Sequence, residues 1–346
     1  MTDDEKYMHR CVQLAKAGRQ NAAPNPMVGA VIVSEDGIII GEGYHERCGE
    51  GHAEVNAFAS VLPEDEPLLK NATMYVSLEP CSHYGKTPPC ADLIIRKGVR
   101  KVVVGVIDPF AEVQGRGIQR LRDAGIDVKV GVCEDECREL NKVFFTCHSL
   151  HRPFVTLKWA MTADGVIGVA DGSTDGQRLI ISNDLTDVLC HKRRAEHQAI
   201  LVGHNTWLHD RPRLDVRHWA GRNPMRIVLG KGIPDVPGWK VWDGSIRELL
   251  GWLHAEGIQS LLVEGGRQTL QSFIDEGLWD EAYVEKAPCL TLTQTFLTET
   301  GSSMKSVMAP EIHDYALLEE TRFGGHTITR YVNGFTEKKQ TTNQNQ

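Results

Sequence analysis

The sequence has no run of about eighteen consecutive apolar residues, so it does not predict a transmembrane helix. Its first ten residues, MTDDEKYMHR, are acidic and polar where a secretory signal would be basic and then apolar. Long runs of one charge are also missing, and the net charge of −8 disfavours a chain built to coat nucleic-acid phosphates or an anionic membrane. We therefore expect a soluble, cytoplasmic protein whose partner is a small molecule, with no nucleic-acid and no membrane partner.

A disulfide framework is also not indicated by the cysteine pattern. The nine cysteines are odd in number and irregularly spaced along a long chain. In a reducing compartment such cysteines fill cores or bind metals far more often than they form disulfides. The stretch EPCSHYGKTPPC, which sets Cys81 and Cys90 around a polar loop, therefore raises a choice between metal binding and packing.

Helix-like and strand-like segments alternate in both halves of the chain, which indicates an α/β protein with mixed or parallel sheets. The stretch DEKYMHRCVQLAKAG predicts a helix, and MVGAVIV and GIIIGEGY predict two short strands after it. Further along, EDECRELNKVFFTCHSL, residues 134–150, predicts one continuous helix. In the second half, AILVG, MRIVLG and SLLVEGG predict strands between helical segments.

The length of 346 residues, 41% of them hydrophobic, predicts two domains. The pattern restarts near Pro153, where the strand FVTLKWAM follows a polar helix end. We expect a first domain over residues 1–147, a second over residues 152–335 and a disordered tail over residues 336–346, which offers nothing apolar to bury.

Three side chains in the first half have the chemistry and the spacing of zinc ligands. His52 offers an imidazole, and Cys81 and Cys90 offer two thiolates. Three protein ligands with water in the fourth position are typical of a catalytic zinc, whereas a structural zinc is closed by four. Glu54 follows His52 by two residues, so it points away from the metal but can reach the water beside it. Because bound zinc lowers the pKa of water, Glu54 could act as the general acid and base of a hydrolytic deaminase.

The pattern differs in one respect from the general nucleobase-deaminase pattern H-x-E with P-C-x-x-C, because eight residues separate the two cysteines here. The inserted residues are too polar and proline-rich for a core, which favours a substrate-binding loop. Two alternatives stay open at this point. The site could hold a structural zinc with His83 as its fourth ligand, or the cysteines could be ordinary buried thiols.

Polar residues around this constellation are candidates for substrate binding. Asn25 stands between two prolines just before the first strand, in a turn that can hold its amide over a pocket, although a plain turn is possible. His83 and Lys86 place a donor and a positive charge inside the cysteine loop. A lysine there suits a substrate that carries a phosphate.

The stretches APNPMVGAVIV, GYHERCGEGHAEVNA and EPCSHYGKTPPC resemble the deaminase half of the bifunctional riboflavin-biosynthesis deaminase/reductase family. The resemblance implies a cytidine-deaminase-like fold for residues 1 to about 147. It also implies removal of an amino group from the pyrimidinone ring of a diamino-ribosylamino-pyrimidinone phosphate. The positions that the family uses for substrate binding match Asn25, His83 and Lys86.

The second half contains a glycine pair, Gly265 and Gly266, between a predicted strand and a predicted helix. Such a pair lets backbone N–H groups approach a pyrophosphate, although many strand-to-helix turns use glycine for geometry alone. Together with HKRRAEHQAILVG and AILVGHNTWLHDRPRLDVR, the region from about 153 to 333 resembles the reductase half of the same family. That resemblance implies a dihydrofolate-reductase-like fold and NADPH as cofactor.

The resemblance assigns roles to individual positions of the second half. The NADPH-contacting positions match Ala160, Thr206, Asp210, Gly265, Gly266 and Arg267. The substrate positions match Arg194, Leu214, Arg217 and Glu264. From the residues alone, Arg194 and Arg217 could equally be a surface arginine and a loop cap.

The sequence departs from the family at Ile180, which stands where a tryptophan is usual, after several extra residues, GSTDGQ. The missing aromatic ring would weaken cofactor packing without removing the chemistry, which belongs to the cofactor.

The function that we predict is a bifunctional riboflavin-biosynthesis enzyme, in which zinc-dependent deamination precedes NADPH-dependent reduction of the ribosyl group to ribityl. We expect a homo-oligomer. One alternative is a deaminase of another pyrimidine or of a tRNA base, with a second half that does not catalyse. A second alternative is a binding module in which one half has lost its chemistry and only binds nucleotide.

Overall fold

The computed structural model describes residues 1–84, 88–109, 114–169, 180–288 and 306–334. The chain divides into two compact units, Met1–His151 and Arg152–Gln346. Among the described residues, no helix is both long and apolar enough to cross a membrane. The predicted tail over residues 336–346 and Lys86 lie outside the described residues.

The first unit is a five-stranded sheet with helices on both faces. Its elements are α1 (Asp3–Ala15), β1 (Gly29–Val33), β2 (Ile39–Tyr44), α2 (Ala53–Ala59), β3 (Thr73–Leu78), α3 (Cys90–Lys97), β4 (Lys101–Val106), α4 (Arg116–Asp123), β5 (Asp127–Val130), α5 (Glu134–Leu140) and α6 (Lys142–Leu150). Short 3-10 helices cover Lys16–Gly18 and Glu66–Asn71. The strand order is β2-β1-β3-β4-β5, with β1 antiparallel to β2 and β3, and β3, β4 and β5 parallel.

Alternation of side chains along the buried strands builds two cores in this unit. Ile32 and Met74 point to the face that packs on α2, α3 and α4, whereas Val31 and Tyr75 point to the face that packs on α1, α5 and α6. Every residue of β1 is buried, as expected for a strand covered on both faces. The sheet therefore holds α2 and α3 on one face, and this placement brings the candidate zinc ligands together.

The continuous helix expected over residues 134–150 is divided at Asn141 into α5 and α6. The Asn141 side chain is buried, and its amide accepts a hydrogen bond from the Met27 N–H at 2.8 Å and donates one to the Met27 carbonyl at 2.8 Å. The break therefore coincides with two hydrogen bonds between Asn141 and Met27, which is far away in the sequence. The helical periodicity of residues 134–150 does not reveal these bonds.

The second unit is built on a larger mixed sheet. Its elements are β6 (Phe154–Met161), β7 (Val166–Val169), α7 (Asp184–Glu196), β8 (Ala199–Gly203), α8 (His204–Asp210), β9 (Met225–Leu229), β10 (Lys240–Trp242), α9 (Ile246–Ala255), β11 (Ser260–Val263), α10 (Arg267–Asp275), β12 (Glu281–Lys286), β13 (Ser306–Met308), β14 (Tyr315–Phe323) and β15 (His326–Asn333). Eight strands lie in the order β10-β9-β8-β11-β6-β12-β15-β14, and β13 pairs with β7. The first six of these eight strands are parallel, and β15 and β14 close the sheet as an antiparallel pair.

The two faces of the central strands separate packing from polar chemistry. On one face Leu157, Leu201 and Val263 pack with α9 and α10 around the buried Phe273 and Trp279. Residues of opposite parity in β6 point to the other face. Parallel strands of an α/β sheet bind ligands beyond their carboxyl ends, so the ends of β6, β8, β11 and β12 are the place to look for a site.

Candidate active sites

The three candidate zinc ligands of the first unit converge at the carboxyl end of β3. His52 is the residue that caps the N-terminus of α2, Cys90 is the first residue of α3, and Cys81 lies in the loop that follows β3. The Nδ1 atom of His52 lies 3.6 Å from Sγ of Cys81 and 3.3 Å from Sγ of Cys90. All three ligand atoms lie within 4.8 Å of one another. The structure thus brings the predicted trio together.

The donor set fits a zinc ion. The backbone N–H of Cys90 donates to the Cys81 sulfur at 3.3 Å, and the N–H of Ala91 donates to the Cys81 carbonyl at 3.1 Å, which fixes the loop on the first turn of α3. Hydrogen bonding to Cys90 and to the His52 imidazole lowers the pKa of the Cys81 thiol to about 4. One imidazole and two sulfurs, one of them readily a thiolate, are ligands that zinc prefers. Among the described residues no fourth histidine, cysteine or acidic side chain joins the set, which leaves a position for water.

Glu54 lies in the first turn of α2 and is only 3% exposed. Burial raises the pKa of its carboxyl group to about 7, although the nearby His52 opposes the shift. Because α2 turns between His52 and Glu54, the imidazole is placed as a ligand and the carboxyl group is placed beside the ligand set. A buried carboxyl group of this kind can exchange a proton near neutral pH.

Asn25 pairs with a histidine that the sequence analysis did not single out. Its Nδ2 atom lies 3.1 Å from Nε2 of His45, and Nδ1 of His45 lies 3.1 Å from the Gly51 carbonyl. The His45 ring in turn stands edge-on to the His52 ring at 5.5 Å between centroids. The sequence contains His45 in the motif GYH, but the spacing between Asn25 and His45 does not predict that their side chains pair.

Glu79, in the motif Glu-Pro-Cys, organises the loop beside the site. Its buried carboxylate accepts backbone N–H groups of Asp108, Gly115, Gly117 and Ile118, at 2.9 to 3.3 Å. The last three N–H groups belong to the N-cap residue and first turn of α4, so Glu79 caps that helix from the segment that follows β3. Four separate partners along the chain cannot be read from the motif itself, and sequence reasoning missed this role.

The loop between Cys81 and Cys90 is described only in part. His83 is exposed, and Lys86 lies among the residues that the structure does not describe. The described part also carries an interaction of Tyr84, whose hydroxyl donates to Asp92 in α3 at 3.2 Å. The loop therefore leans on α3 where the structure describes it.

In the second unit, two helices begin side by side at the carboxyl ends of β8 and β11. Gly203 precedes α8 and Gly266 precedes α10. A Cβ atom on Gly203 would lie 2.2 Å from Oγ1 of Thr269, and one on Gly266 would lie 2.9 Å from Oγ1 of Thr206. Each glycine thus leaves room for a threonine side chain in the first turn of the neighbouring helix. Two helix N-termini at such a corner favour a pyrophosphate, which fits NADPH.

The predicted substrate residues Arg194 and Glu264 contact each other. The Arg194 guanidinium donates to both carboxylate oxygens of Glu264, at 2.9 and 2.7 Å, and to the Asp215 carbonyl at 3.2 Å. Cys190 donates to the same carboxylate at 3.4 Å. Burial acts to raise the pKa of Glu264, but the charge and hydrogen bonds of Arg194, together with the Lys158 charge and the Cys190 hydrogen bond, outweigh burial and lower that pKa.

Leu214 and Arg217 lie in the loop between α8 and β9. Leu214 is buried, with a backbone φ of 50°, in the left-handed region that a leucine rarely adopts. Arg217 binds the Asp215 carboxylate at 2.6 Å and donates its backbone N–H to His191 at 3.2 Å. The structure therefore holds Arg217 near α7, with its side chain partly exposed.

The remaining predicted positions are less deeply placed. Ala160 lies half-buried near the end of β6, whereas Asp210 ends α8 and Arg267 begins α10, both exposed. Ile180, the departure from the usual tryptophan, is 75% exposed. Because Ile180 is exposed, its side chain does not provide the packing that a buried tryptophan would provide within this unit.

Sequence reasoning also missed a lysine and a glutamate on the same face of the sheet. Lys158 on β6 lies 3.9 Å from the carboxylate of Glu285 on β12, and both side chains are largely buried. Neither belongs to a recognisable motif. The alternation along FVTLKWAM placed Lys158 opposite the apolar face, which is the one signal that could have identified it.

Comparisons with known proteins match each of the two units to a known domain. Residues 1–106 match the family model described as the cytidine and deoxycytidylate deaminase zinc-binding region, and residues 153–303 match the RibD C-terminal domain. The riboflavin biosynthesis protein RibD of Aquifex aeolicus is 40% identical over 318 residues, which cover 82% of this chain and 87% of the relative. RibD of Escherichia coli is 37% identical over 333 residues, which cover 83% and 88%.

Solved structures give the same result. A diaminohydroxyphosphoribosylaminopyrimidine deaminase/5-amino-6-(5-phosphoribosylamino)uracil reductase of Thermotoga maritima superposes with a TM-score of 0.81 at 32% identity, covering 96% of this chain and 99% of that one. RibD of Acinetobacter baumannii superposes with a TM-score of 0.80 at 30% identity, covering 95% and 98%. The predicted cytidine-deaminase-like and dihydrofolate-reductase-like folds are confirmed.

Both halves therefore match one family, so neither a tRNA-base deaminase nor a pure binding module is favoured. The first unit is a zinc-dependent deaminase and the second is a reductase that uses NADPH. The chain belongs to the RibD family of bifunctional deaminase/reductases of riboflavin biosynthesis.

Proposed function

We propose that the first unit deaminates diaminohydroxyphosphoribosylaminopyrimidine and that the second then reduces the ribosyl group of 5-amino-6-(5-phosphoribosylamino)uracil to ribityl. The observation that carries the proposal is the convergence of His52, Cys81 and Cys90 beside the buried carboxyl group of Glu54. The two substrates are those in the name of the Thermotoga maritima relative. We place the two catalytic domains in residues 1–147 and 152–335.

In the first unit, His52, Cys81 and Cys90 would hold the zinc ion, which when bound acidifies a water molecule. Glu54 would carry the two protons of the attacking water to the substrate, one to the ring nitrogen and one to the amino group, while the water oxygen bonds to the ring carbon and the amino group leaves as ammonia. The buried position of Glu54 supports this role, because a carboxyl group in contact with bulk water would stay ionised at neutral pH. The exocyclic C–N bond would break, and the ring carbon would keep the water oxygen as a carbonyl.

Substrate contacts in the first unit are assigned to the residues around the ligand trio. Asn25 can offer its amide to the pyrimidine ring while His45 holds that amide in place. We assign His83 and Lys86 to the ribosyl phosphate, because both belong to the polar loop between the two cysteines.

In the second unit, NADPH when bound supplies the hydride. The glycine corner consists of Gly203, Gly265 and Gly266 with Thr206 and Thr269. We assign the pyrophosphate of NADPH to Gly265, Gly266 and Thr206 in this corner, and we add Ala160, Asp210 and Arg267 as further cofactor contacts. The two turns approach closely at this corner, where a Cβ atom on Gly265 would lie 3.2 Å from the backbone nitrogen of Gly203, and this supports that choice. Arg194, Leu214, Arg217 and Glu264 are assigned to the substrate. The Arg194–Glu264 pair would then orient two hydrogen-bonding groups toward the substrate.

Location and assembly complete the proposal. We place the enzyme in the cytoplasm, since all eight cysteines among the described residues are free thiols, which suits a reducing compartment. We also propose a homo-oligomer, which light scattering on the purified full chain would test.

The experiment is mass spectrometry of the products formed by zinc-loaded protein from diaminohydroxyphosphoribosylaminopyrimidine, with and without NADPH. Without NADPH we expect only the exchange of an amino group for oxygen, and with NADPH we expect the same product with two hydrogens added. Reduction without deamination, or no change in mass, would reject the proposed order of reactions. The Glu54→Gln variant serves as the matched control, since it should give neither product from this substrate yet still reduce the deaminated one.

A further inference from the structure

Besides Glu264, a second carboxylate, that of Glu285, lies beside the proposed reductase site, on the face of the sheet that carries α7. Glu285 near the end of β12 is 2% exposed. Its Oε1 atom accepts hydrogen bonds from Oγ1 of Thr186 at 2.6 Å and from Nδ1 of His326 at 2.9 Å. Its Oε2 atom accepts one from Oγ of Ser182 at 2.6 Å. One carboxylate thus joins β12, β15 and the start of α7.

The same carboxylate faces the only charged side chain of β6. Oε2 of Glu285 lies 3.9 Å from Nζ of Lys158, and Glu285 is directly paired with Ala160, two residues further along that strand. The Lys158 charge also acts on Glu264, whose pKa it helps to lower. Lys158 therefore stands on β6, between β11, which Glu264 follows, and β12, which carries Glu285, and 15% of its side chain is exposed.

Stability alone does not account for this arrangement. Removing a carboxylate and an ammonium group from water carries a large desolvation cost, and an apolar pair of the same size often gives an equally stable fold. Three donors and an ammonium group around one carboxylate instead fix the position of each partner. Such fixed charges are expected where a ligand must be oriented.

We propose that Glu285 is a positioning residue of the reductase site, which holds the ammonium group of Lys158 against the substrate and anchors the start of α7. The group that Lys158 would meet is an oxygen-rich part of the substrate, either the ribosyl hydroxyls or the phosphate. Because α7 also carries Arg194, the same carboxylate steadies two cations of the site. The inference rests on the reduction assigned to the second unit.

The test compares Glu285→Gln with Glu281→Gln, measured by reductase kinetics on the deaminated substrate. Glu281 is also buried, on the same strand and the same face, but its partners are Arg330 and Tyr283. For Glu285→Gln we expect KM to rise about tenfold with kcat changed less than about threefold, because one charged partner of Lys158 is lost. For Glu281→Gln we expect an unchanged KM, and deamination by both variants should equal that of the wild type.

A double-variant cycle with Lys158→Met separates positioning from general damage. If Glu285 acts through Lys158, Glu285→Gln adds almost nothing to KM in a chain that already carries Lys158→Met. Independent, multiplying effects on KM would overturn the proposal, and so would an unchanged KM in the single Glu285→Gln variant.

Folding is monitored on the same samples, and a milder variant guards against loss of structure. All seven tryptophans lie between residues 159 and 279, so tryptophan fluorescence follows the second unit alone. If Glu285→Gln does not fold, Ser182→Ala removes a single donor from Oε2, and it should raise KM in the same direction by a smaller factor. A normal KM for that variant would then overturn the proposal.

Failure of the proposed function and failure of this inference give different results. A wild type that does not reduce the substrate would contradict the proposed function, whereas an active wild type with an unaffected variant would contradict this inference alone.

Discussion

The Nδ2 atom of Asn25 lies 3.1 Å from Nε2 of His45, and Nδ1 of the same ring lies 3.1 Å from the Gly51 carbonyl. The carbonyl can only accept, so Nδ1 carries the proton and Nε2 accepts from the Asn25 amide. Because Nδ2 is held by His45, the orientation of the Asn25 amide is fixed, and so is the direction in which its oxygen points. A side chain that sequence reasoning chose for its rigid turn is in fact oriented by a buried histidine.

Asn25→Asp should lower kcat/KM of deamination by about tenfold or more, because a carboxylate has no donor for Nε2 of His45. Zinc content, measured by elemental analysis, should stay at the wild-type value, since neither residue is a proposed ligand. Asn21→Asp on the exposed loop is the matched control and should leave the rate unchanged. An unaltered rate for Asn25→Asp would show that the pair does not orient the substrate.

Glu79→Gln should destabilise the first unit by about 2 kcal/mol, because an amide in place of the carboxylate sets an NH₂ group against backbone donors of α4. The measurement is thermal unfolding followed by circular dichroism. Glu66→Gln is a suitable control, since the ion pair of Glu66 with Lys97 is largely exposed and should contribute little. Equal melting temperatures for the two variants would contradict the capping role of Glu79.

The glycine corner of the second unit predicts a steric test of cofactor binding. Gly203 has an ordinary φ of −78°, so the new methyl group of Gly203→Ala meets the Thr269 side chain, with the hydroxyl oxygen at 2.2 Å and Cβ at 3.5 Å. We expect NADPH to bind about tenfold more weakly, as measured by energy transfer from tryptophan. The double variant Gly203→Ala with Thr269→Ala should recover most of the affinity. Gly251→Ala on α9, where nothing lies within 4 Å, should not change it.

Acid should destabilise the second unit through Glu264. The Arg194 guanidinium, working against burial, holds the folded-state pKa of Glu264 below its ordinary value of 4.5. The pair therefore stabilises the fold fully above that ordinary pKa, and its contribution is lost as the pH falls through the lowered one. Tryptophan fluorescence between neutral and acid pH should show a smaller acid-induced loss of stability for Glu264→Gln than for the wild type. Glu276→Gln, at an exposed pair with Arg247, should behave as the wild type does.

The parts of the molecule that the sequence predicts well are those encoded by short stretches. His52, Cys81 and Cys90 are recognisable because zinc restricts the ligand types and because each ligand stands at the start of a helix or in a loop. The strands β1 and β11 are equally clear, since runs of three to five apolar residues suit a buried strand.

The parts that escaped prediction depend on partners distant in the sequence. The break between α5 and α6 coincides with the pairing of Asn141 with Met27, 114 residues away. Glu79 accepts backbone N–H groups from Asp108 and from the start of α4, and Glu285 accepts hydrogen bonds from side chains up to 103 residues away. Each of these polar groups is buried and must find partners wherever the fold provides them, so only the folded chain reveals the pairing.

Glu54→Gln and Cys90→Ser should separate proton transfer from metal binding. Glu54 lies beside the ligand trio without belonging to it, so Glu54→Gln should keep the zinc and lose deamination by a factor of about a hundred to ten thousand. Cys90→Ser removes one of three ligands and should lose both the zinc and the activity. Elemental analysis and deaminase rates on the same preparations distinguish the two outcomes, and reduction of the deaminated substrate should persist in both variants. Zinc lost from Glu54→Gln would mean that its carboxyl group is itself a ligand, and the proton-transfer role would then have to pass to another residue.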